Sequence, residues 1–155
     1  MAKLKPARKP ALRRGQITAG PLTVLIESDE SGRLHSVTLP QKIPAKLSAA
    51  NLASVIAELD RHALAIESAP PFHRKVWAKL RTIRSGRTLT YGRIAAELGN
   101  PRASRAVGQA CGANPLLLVI PCHRVVATAG LGGFALGLAW KKKLIELETE
   151  ARPRG

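Results

Sequence analysis

Residues 114–126 read NPLLLVIPCHRVV and carry the strongest chemical signal in the chain. The five residues from Leu116 to Ile120 are all apolar, which predicts a short buried segment that the next proline ends. Cys122, His123 and Arg124 follow directly. A neighbouring base or positive charge lowers the pKa of a thiol from about 8.5, and the thiolate is the nucleophile. The segment therefore predicts a reactive Cys122, although a core cysteine beside a solvated His-Arg pair would give the same pattern.

A helical pattern near the C-terminus carries a carboxylate on its apolar face. Residues 137–150 read GLAWKKKLIELETE, and at about 100° per residue their large apolar side chains share one side of a helix with Glu148 in its middle. A buried carboxylate needs a partner. Lys141, near the same stripe, is one candidate. The other is His123, which Glu148 would orient as the third member of a Cys-His-acid relay.

The first half of the chain predicts a small lobe of strands and one helix. Residues 22–27 and 33–39 are rich in β-branched side chains and are separated by turn-forming residues, which predicts a β-hairpin. Residues 49–64 place apolar side chains at i, i+3, i+4 and i+7, the spacing of an amphipathic helix. A Pro-Pro pair at 70–71 then interrupts the pattern. We assign residues 16–68 to this lobe.

The second half, residues 69–150, predicts a mainly helical domain. Residues 72–83, 91–98 and 103–111 each show a helical pattern. The last two are short and are joined by a Gly-Asn-Pro turn at 99–101, which resembles a helix-turn-helix. Many such helix pairs bind nothing, so the pattern alone leaves DNA contact open. The predicted fold class is α/β (α+β), with a small hairpin-and-helix lobe followed by the helix-turn-helix domain.

The charge of the chain favours a polyanionic partner. Its 155 residues include 25 Lys and Arg against 10 Asp and Glu, a formal net charge of +15 at pH 7. Nucleic acid is the first candidate partner, and an anionic membrane surface is the second. Residues 1–15 are basic and lack acidic side chains, so we expect a disordered arm that either contacts nucleic acid or only solubilises the chain. Residues 151–155 are assigned to a tail.

The cysteines and the apolar runs bear on location and cofactors. Two cysteines, Cys111 and Cys122, cannot form a dense disulfide framework, and no close Cys/His cluster suggests a zinc site. We therefore expect an intracellular, cytoplasmic protein with no metal and no cofactor. The sequence shows no secretory signal and no apolar run of about 18 residues that could span a membrane. Cys111 has no polar neighbour in sequence and is interpreted as a core cysteine.

Residues 72–148 resemble the O6-alkylguanine-DNA alkyltransferases, also called methylated-DNA–protein-cysteine methyltransferases. The PCHRV core at 121–125 is highly specific for that family. About half of the chain is covered well, whereas residues 17–64 are only loosely similar and are shorter than usual. The resemblance rests on five ordered blocks: FHRKVW at 72–77, TYGRIA at 90–95, GNPRASRAVGQA at 99–110, NPLLLVIPCHRVV at 114–126 and GLGGFALGLAWKKKLIELE at 130–148.

The resemblance implies a single transfer of an alkyl group from O6 of guanine in DNA to Cys122. His123 would take the thiol proton through a bound water, and Glu148 would orient His123. Asn114 would help to set the position of the Cys122 loop. Tyr91 would donate a hydrogen bond to the guanine as it leaves, which offsets the charge that develops on the base. Each molecule would act once, because nothing in the sequence suggests a route back to the free thiol.

The resemblance also implies which residues contact the DNA and the lesion. The partner would be double-stranded DNA containing O6-alkylguanine, bound from the minor groove by a monomer. Arg105 would replace the extruded nucleotide, because an alkylated base inside the stack cannot reach a protein sulfur. Phe134 stands where the family usually has Tyr, and Ala135 where it often has Ser, which predicts a more apolar pocket. The weaker matches are Gly92, Asn100, Thr128 and Arg124 for DNA and Val125, Phe134 and Ala135 for the pocket.

Two other functions remain compatible with these residues. A non-catalytic module would recognise alkylated DNA and recruit other repair factors, with Cys122 as a passive pocket residue. Alkyltransferase-like proteins of this fold lack the acceptor cysteine, so the presence of Cys122 favours the enzyme. A general thiol hydrolase would use a Cys-His-Glu relay, but the direct adjacency of Cys122 and His123 makes proton transfer between them awkward, and no oxyanion site is readable.

Overall fold

The mixed α/β fold is confirmed: residues 8–152 form a small antiparallel sheet in the first half and five α-helices. The structure, a computed structural model, describes residues 8–152. The elements in chain order are β1 (Arg13–Ala19), β2 (Leu22–Ser28), β3 (Leu34–Thr38), α1 (Ala49–Leu59), α2 (Pro71–Leu80), β4 (Leu89–Thr90), α3 (Tyr91–Glu97), α4 (Ser104–Gly112), a 3-10 turn (Cys122–Arg124), β5 (Val125–Val126) and α5 (Leu138–Glu150).

The sheet contains the predicted hairpin and one further strand. β1, β2 and β3 pair antiparallel in that order. β1 was not predicted, because it is a mostly exposed edge strand and its sequence RRGQITA lacks an apolar alternation. Arg13 to Gly15, which the sequence analysis assigned to the basic arm, are therefore part of this strand. Residues 1–7 of the predicted arm lie outside the described residues.

Helix α1 packs beneath the sheet and is shorter than predicted. Ser48 caps it, since its hydroxyl accepts a hydrogen bond from the backbone N–H of Asn51 at 3.1 Å. The predicted end was residue 64, but the helix stops at Leu59. The backbone of residues 63–65 instead bonds to Leu34 of β3 on both sides, at 2.8 and 2.9 Å. Pairing with the sheet therefore replaces the last helical turn.

The helical half contains the predicted helices, with ends shifted by a few residues. α2 begins with a proline at its first position, where the missing N–H costs nothing. Trp77 of α2 donates through Nε1 to the carbonyl oxygen of Ala110 at the end of α4, at 2.8 Å. α3 is capped by Thr90, and after its end at Glu97 the chain turns away at Gly99, which lies in the left-handed region with φ of +85°. α3 and α4 pack against each other as a helix-turn-helix.

The segment before the 3-10 turn connects the two halves of the molecule. Leu116 to Ile120 are all buried, as predicted. The backbone N–H of Val37 in β3 donates to the carbonyl oxygen of Pro115 at 2.9 Å. On the far side of the turn, β5 pairs in parallel with β4, which leads directly into α3. Cys122 is thereby held between the sheet and the helix-turn-helix.

Among residues 8–152, no helix has both the length and the apolar character needed to cross a bilayer.

We expect Trp77→Phe to lower the free energy of unfolding by about 1–2 kcal/mol. The substitution keeps most of the buried ring but leaves the Ala110 carbonyl oxygen, near the end of a helix, without its donor. Urea unfolding at neutral pH measures the change. Arg74→Ala, an exposed change on the same helix, is the control. Equal stability of Trp77→Phe and the wild type would contradict a contribution from this bond.

Candidate active site

A cavity of about 550 Å³ opens between the helix-turn-helix and the segment that precedes α5. Its volume lies in the range of small-molecule pockets. Cys122 is its most buried lining residue, with 5% of its surface exposed. The cavity is lined by Tyr91, Ser104, Arg105, Gly108, Cys111, Gly112, Cys122, Gly133, Phe134 and Ala135. The Cys122 sulfur therefore faces a half-open and largely apolar cavity.

Asn114 fixes the loop that carries Cys122. Its Oδ1 accepts a hydrogen bond from the backbone N–H of Leu116 at 2.8 Å. Its Nδ2 donates to the carbonyl oxygen of Ile120 at 2.8 Å and to Cys122 Sγ at 3.3 Å. One buried amide thus closes the loop at both ends and contacts the sulfur directly.

Behind the cysteine, Glu148 of α5 joins His123 and Arg124. Glu148 Oε1 accepts from His123 Nε2 at 3.0 Å and from Arg124 Nη2 at 2.7 Å, and Oε2 accepts from Arg124 Nε at 2.9 Å. Arg124 Nη1 also donates to the carbonyl oxygen of Ile83 at 2.7 Å. The structural alternative, in which Lys141 pairs with Glu148, is therefore wrong.

Arg124 does not face DNA. Only 8% of its surface is exposed, and all three guanidinium nitrogens donate to buried oxygens. This contradicts the DNA contact predicted for it. The charge is held inside because Glu148 offers a carboxylate in the geometry that a guanidinium matches with two hydrogen bonds.

The pKa shifts of Glu148 and His123 leave Glu148 ionised and the His123 imidazole neutral, so the imidazole can act as a base. Burial by itself raises the pKa of Glu148, but hydrogen bonds from His123 and Arg124 outweigh burial and lower it to about 2. Burial lowers the pKa of His123, with Glu148 opposing the shift only in part. A neutral His123 that donates from Nε2 to a carboxylate carries its lone pair on Nδ1. Of the buried side-chain nitrogens and oxygens in residues 8–152, His123 Nδ1 is the one without a hydrogen-bond partner.

The thiol itself is harder to ionise than its sequence neighbours suggest. Burial raises the pKa of Cys122, and the Asn114 amide, the Lys141 charge and the backbone N–H groups of residues 122 and 123 offset this only in part. The expectation that adjacent His and Arg lower the pKa is wrong, because Arg124 points away toward Glu148. The resting group is a thiol, so its reaction as a nucleophile requires a base.

Tyr91 stands across the cavity on the first turn of α3. Its hydroxyl donates to the carbonyl oxygen of Gly133 at a long 3.5 Å. Burial raises the pKa of Tyr91, so the group stays a protonated donor at neutral pH. Its ring packs on Gly132, where φ is +72° and an added Cβ would lie 2.7 Å from Tyr91 Cε2. Only glycine fits this close approach.

The family model for 6-O-methylguanine DNA methyltransferase, DNA binding domain, matches residues 71–150. The chain belongs to this family. It is 50% identical over 80 residues to a probable methylated-DNA–protein-cysteine methyltransferase of Acanthamoeba polyphaga mimivirus, a match that covers 52% of this chain and 54% of that relative. The chain therefore spans about half the length of the curated relatives it matches.

Solved structures of the methyltransferase family match over most of the chain. The crystal structure of Mycobacterium tuberculosis O6-methylguanine methyltransferase has a TM-score of 0.72 at 26% identity, and covers 94% of this chain and 97% of that one. The Mycobacterium tuberculosis OGT protein in complex with DNA has a TM-score of 0.67 at 30% identity, and covers 89% of this chain and 93% of that one. The likeness therefore includes the N-terminal lobe, which the sequence matched only loosely.

The predicted DNA-binding and pocket residues lie at the cavity wall, in the β4–β5 ladder or on the exposed surface. Arg105 is exposed on the first turn of α4 and lines the cavity. Phe134 and Ala135 also line it, whereas Val125 is 0% exposed and pairs with Leu89 in the β4–β5 ladder. Val125 is not among the residues that line the cavity, and its pocket role stays a prediction. The remaining three are exposed: Gly92 in α3, Asn100 in the turn between α3 and α4, and Thr128 after β5.

Sequence reasoning missed three residues of the methyltransferase-family site. Cys111, interpreted as a core cysteine, lines the cavity, and burial raises its pKa to about 12. Ser104 lines it from the start of α4. Lys141 is completely buried on α5 and reaches the cavity wall. A lysine on the apolar stripe of α5 was the one available signal, but it was interpreted only as a partner for Glu148.

We expect Glu148 to stabilise the fold most above pH 4.5 and to lose this contribution as the pH falls toward 2. Its folded pKa of about 2 lies below the ordinary glutamate value of 4.5, so the stabilisation, on the order of 3 kcal/mol, disappears as the carboxylate is protonated. Urea unfolding of the wild type and Glu148→Gln between pH 5.5 and pH 3 measures it. The stability difference between the two should narrow with acidification, and a constant difference would contradict the pairing.

Proposed function

We propose that the protein repairs DNA directly, by moving an alkyl group from O6 of a guanine onto Cys122 Sγ in a single turnover. The observation that carries the proposal is a buried thiol that opens into a cavity while a neutral imidazole, fixed by a carboxylate, lies behind it. This arrangement combines an acceptor, a base and a space for a flat ligand. Membership of the methyltransferase family supports the same reaction.

The proposed partner is double-stranded DNA that contains O6-alkylguanine. The net charge of +15 favours binding to the phosphate backbone, and one structural relative was solved in complex with DNA. The helix-turn-helix forms one wall of the cavity, so a bound duplex and the sulfur would lie on the same side of the molecule. Binding by a monomer from the minor groove is part of the proposal, as is an intracellular site of action.

The first chemical step is removal of the thiol proton. A water between Cys122 Sγ and His123 Nδ1 would pass the proton to the imidazole. Glu148 would stabilise the resulting imidazolium through the bond it already accepts from Nε2. Asn114 would hold Sγ in place, and its amide N–H would offset part of the charge on the thiolate.

The transfer itself is an SN2 displacement. Sγ attacks the carbon attached to O6, the C–O6 bond breaks, and its electron pair remains on the guanine. Tyr91 would donate a hydrogen bond to the base as this charge develops, and a proton returned from the His123 imidazolium through water would neutralise the departing guanine anion. The products are a thioether on Cys122 and an unmodified guanine, so no cofactor and no metal take part.

The lesion must leave the base stack before it can enter the cavity. Extrusion costs a few kcal/mol, and we propose that Arg105 fills the space left in the duplex. It is exposed and lies on the first turn of α4, at the wall of the cavity. Gly92, Asn100 and Thr128 would contact the DNA backbone around this point. Phe134 and Ala135 would form the apolar side of the lesion pocket.

Incubation with duplex DNA that carries isotopically labelled O6-methylguanine should place the label on the peptide containing Cys122. The peptide containing Cys111 should stay unlabelled and serves as an internal control, because both thiols line the same cavity. Cys122→Ala should abolish transfer while lesion binding persists. Wild-type protein that binds the lesion without acquiring label would refute alkyl transfer and support a recruitment module.

Arg105→Ala should slow transfer from duplex DNA by tenfold or more, on the order of the cost of extruding a base. Transfer from the free base O6-methylguanine should change little, since no duplex has to be opened. Single-turnover rates on both substrates measure the difference. Arg102→Ala, which removes an equal charge from an exposed site just before α4, is the matched control. Equal losses on duplex and free base would rule out the finger role.

A further inference from the structure

A second cavity, of about 490 Å³, lies between the end of α1, the turn at residues 81–85 and the segment that leads into the 3-10 turn. Its lining residues differ throughout from those of the cavity that Cys122 faces. Its volume is that of a small-molecule site. None of the residues given a role in the proposed reaction is among the described residues that line it, so its shape and charge call for a separate explanation.

Arg124 brings unused hydrogen-bond donors to the second cavity, whose wall it helps to form. A guanidinium carries five N–H groups, and three of those in Arg124 donate to Glu148 and to the carbonyl oxygen of Ile83. The remaining two, on Nη1 and Nη2, have no acceptor among residues 8–152. Only 9% of the side chain is exposed, so their acceptor has to be a water or a ligand group inside the cavity.

Two further arginines, Arg81 and Arg84, add positive charge to the second cavity. Both line it and both are exposed. Neither forms an ion pair with a carboxylate within residues 8–152. A guanidinium matches a phosphate group with two parallel hydrogen bonds. Three guanidinium groups at one cavity therefore favour a ligand that carries a phosphate.

The other wall residues of the second cavity are unsuited to a bare inorganic anion. Asp60, at the end of α1, is the one carboxylate among the described lining residues. It repels an anion that lies close to it, but it accepts a hydrogen bond from a hydroxyl or an amine. Ile56, Leu118 and Val119 give the same cavity apolar surface. The matching ligand thus carries a phosphate, a hydrogen-bond donor and an apolar or flat body.

We propose that the second cavity binds a nucleoside monophosphate group, with its phosphate on Arg81, Arg84 and Arg124 and a sugar hydroxyl or base amine on Asp60. The flat face of the base packs against the apolar side chains of the wall. A free nucleotide and the 5′-phosphorylated end of a DNA strand both present this chemistry. The site does not depend on alkyl transfer, because its walls and those of the cavity that Cys122 faces have no residue in common.

Calorimetric titration of the full chain with deoxyadenosine monophosphate (dAMP) tests the site. Deoxyadenosine and inorganic phosphate should each bind more weakly by about tenfold or more, because each has only part of the ligand. Arg81→Gln and Arg84→Gln should each lower the affinity for dAMP by about tenfold, the loss of one charge-assisted hydrogen bond. Arg87→Gln, which removes an exposed arginine outside the cavity lining, is the matched control. Equal losses in all three variants, or no binding of dAMP, would overturn the site.

Asp60→Ala separates a nucleotide site from a simple patch of positive charge. The repulsion that it removes acts on every anion, whereas the acceptor that it removes serves only a ligand with a donor. The ratio of dAMP affinity to inorganic phosphate affinity should therefore fall, and an unchanged ratio would contradict the nucleotide assignment. A trinucleotide with and without a 5′-phosphate tests the strand end as the source. A gain in affinity from the phosphate that Arg84→Gln removes would assign the strand end to the same site.

Hydrogen exchange locates the bound nucleotide. dAMP should slow exchange at residues 81–85 and 118–124 and leave α4 unchanged, since α4 lines only the cavity that Cys122 faces. Cys122→Ala should bind dAMP as tightly as the wild type, so failure of alkyl transfer and failure of this site remain distinct results. Protection confined to α4 and residues 133–135 would place the nucleotide in the first cavity and refute a second site.

Discussion

The arrangement of the site depends on one buried carboxylate. Glu148 accepts three hydrogen bonds from His123 and Arg124, and these bonds fix α5 against the 3-10 turn. Through Arg124 and the carbonyl oxygen of Ile83, the same carboxylate is connected to the turn that follows α2. Without it the guanidinium would be an unbalanced charge in the core, and the imidazole would have no fixed tautomer. The turn that carries Cys122 is positioned by these contacts.

The buried polar residues around Cys122 contribute more to the proposed reaction than to the stability of the fold. Three charged side chains of the second half, Arg124, Lys141 and Glu148, are buried in a molecule whose core consists mainly of apolar side chains. Well-packed apolar residues in such positions often stabilise a fold as well or better. The network instead keeps a neutral base behind the sulfur and a cation in front of it, and Asn114 holds the sulfur between them. A thiol whose pKa burial has raised needs these aids to react as a thiolate.

The errors of prediction share one physical origin. β1 was missed and α1 was extended too far, because an exposed edge strand has no apolar pattern and because pairing of residues 63–65 with Leu34 is a long-range event. The predictions that Arg124 contacts DNA and that Cys111 is a core residue also fail because they depend on long-range contacts. The direction in which a side chain points depends on the elements that pack around it. The sequence neighbours of a residue do not fix that direction.

The sequence by itself determined the family, the cysteine proposed as the acceptor and the positions of most helices. These features are local: apolar spacing follows the helical period, prolines and glycines mark the ends of elements, and the PCHRV block is contiguous. Only the tertiary structure decided that Glu148 pairs with His123 rather than Lys141, that Arg124 points inward, and that Lys141 reaches Tyr91. Burial and pairing of charges depend on contacts between residues far apart in the chain, so no local pattern contains them.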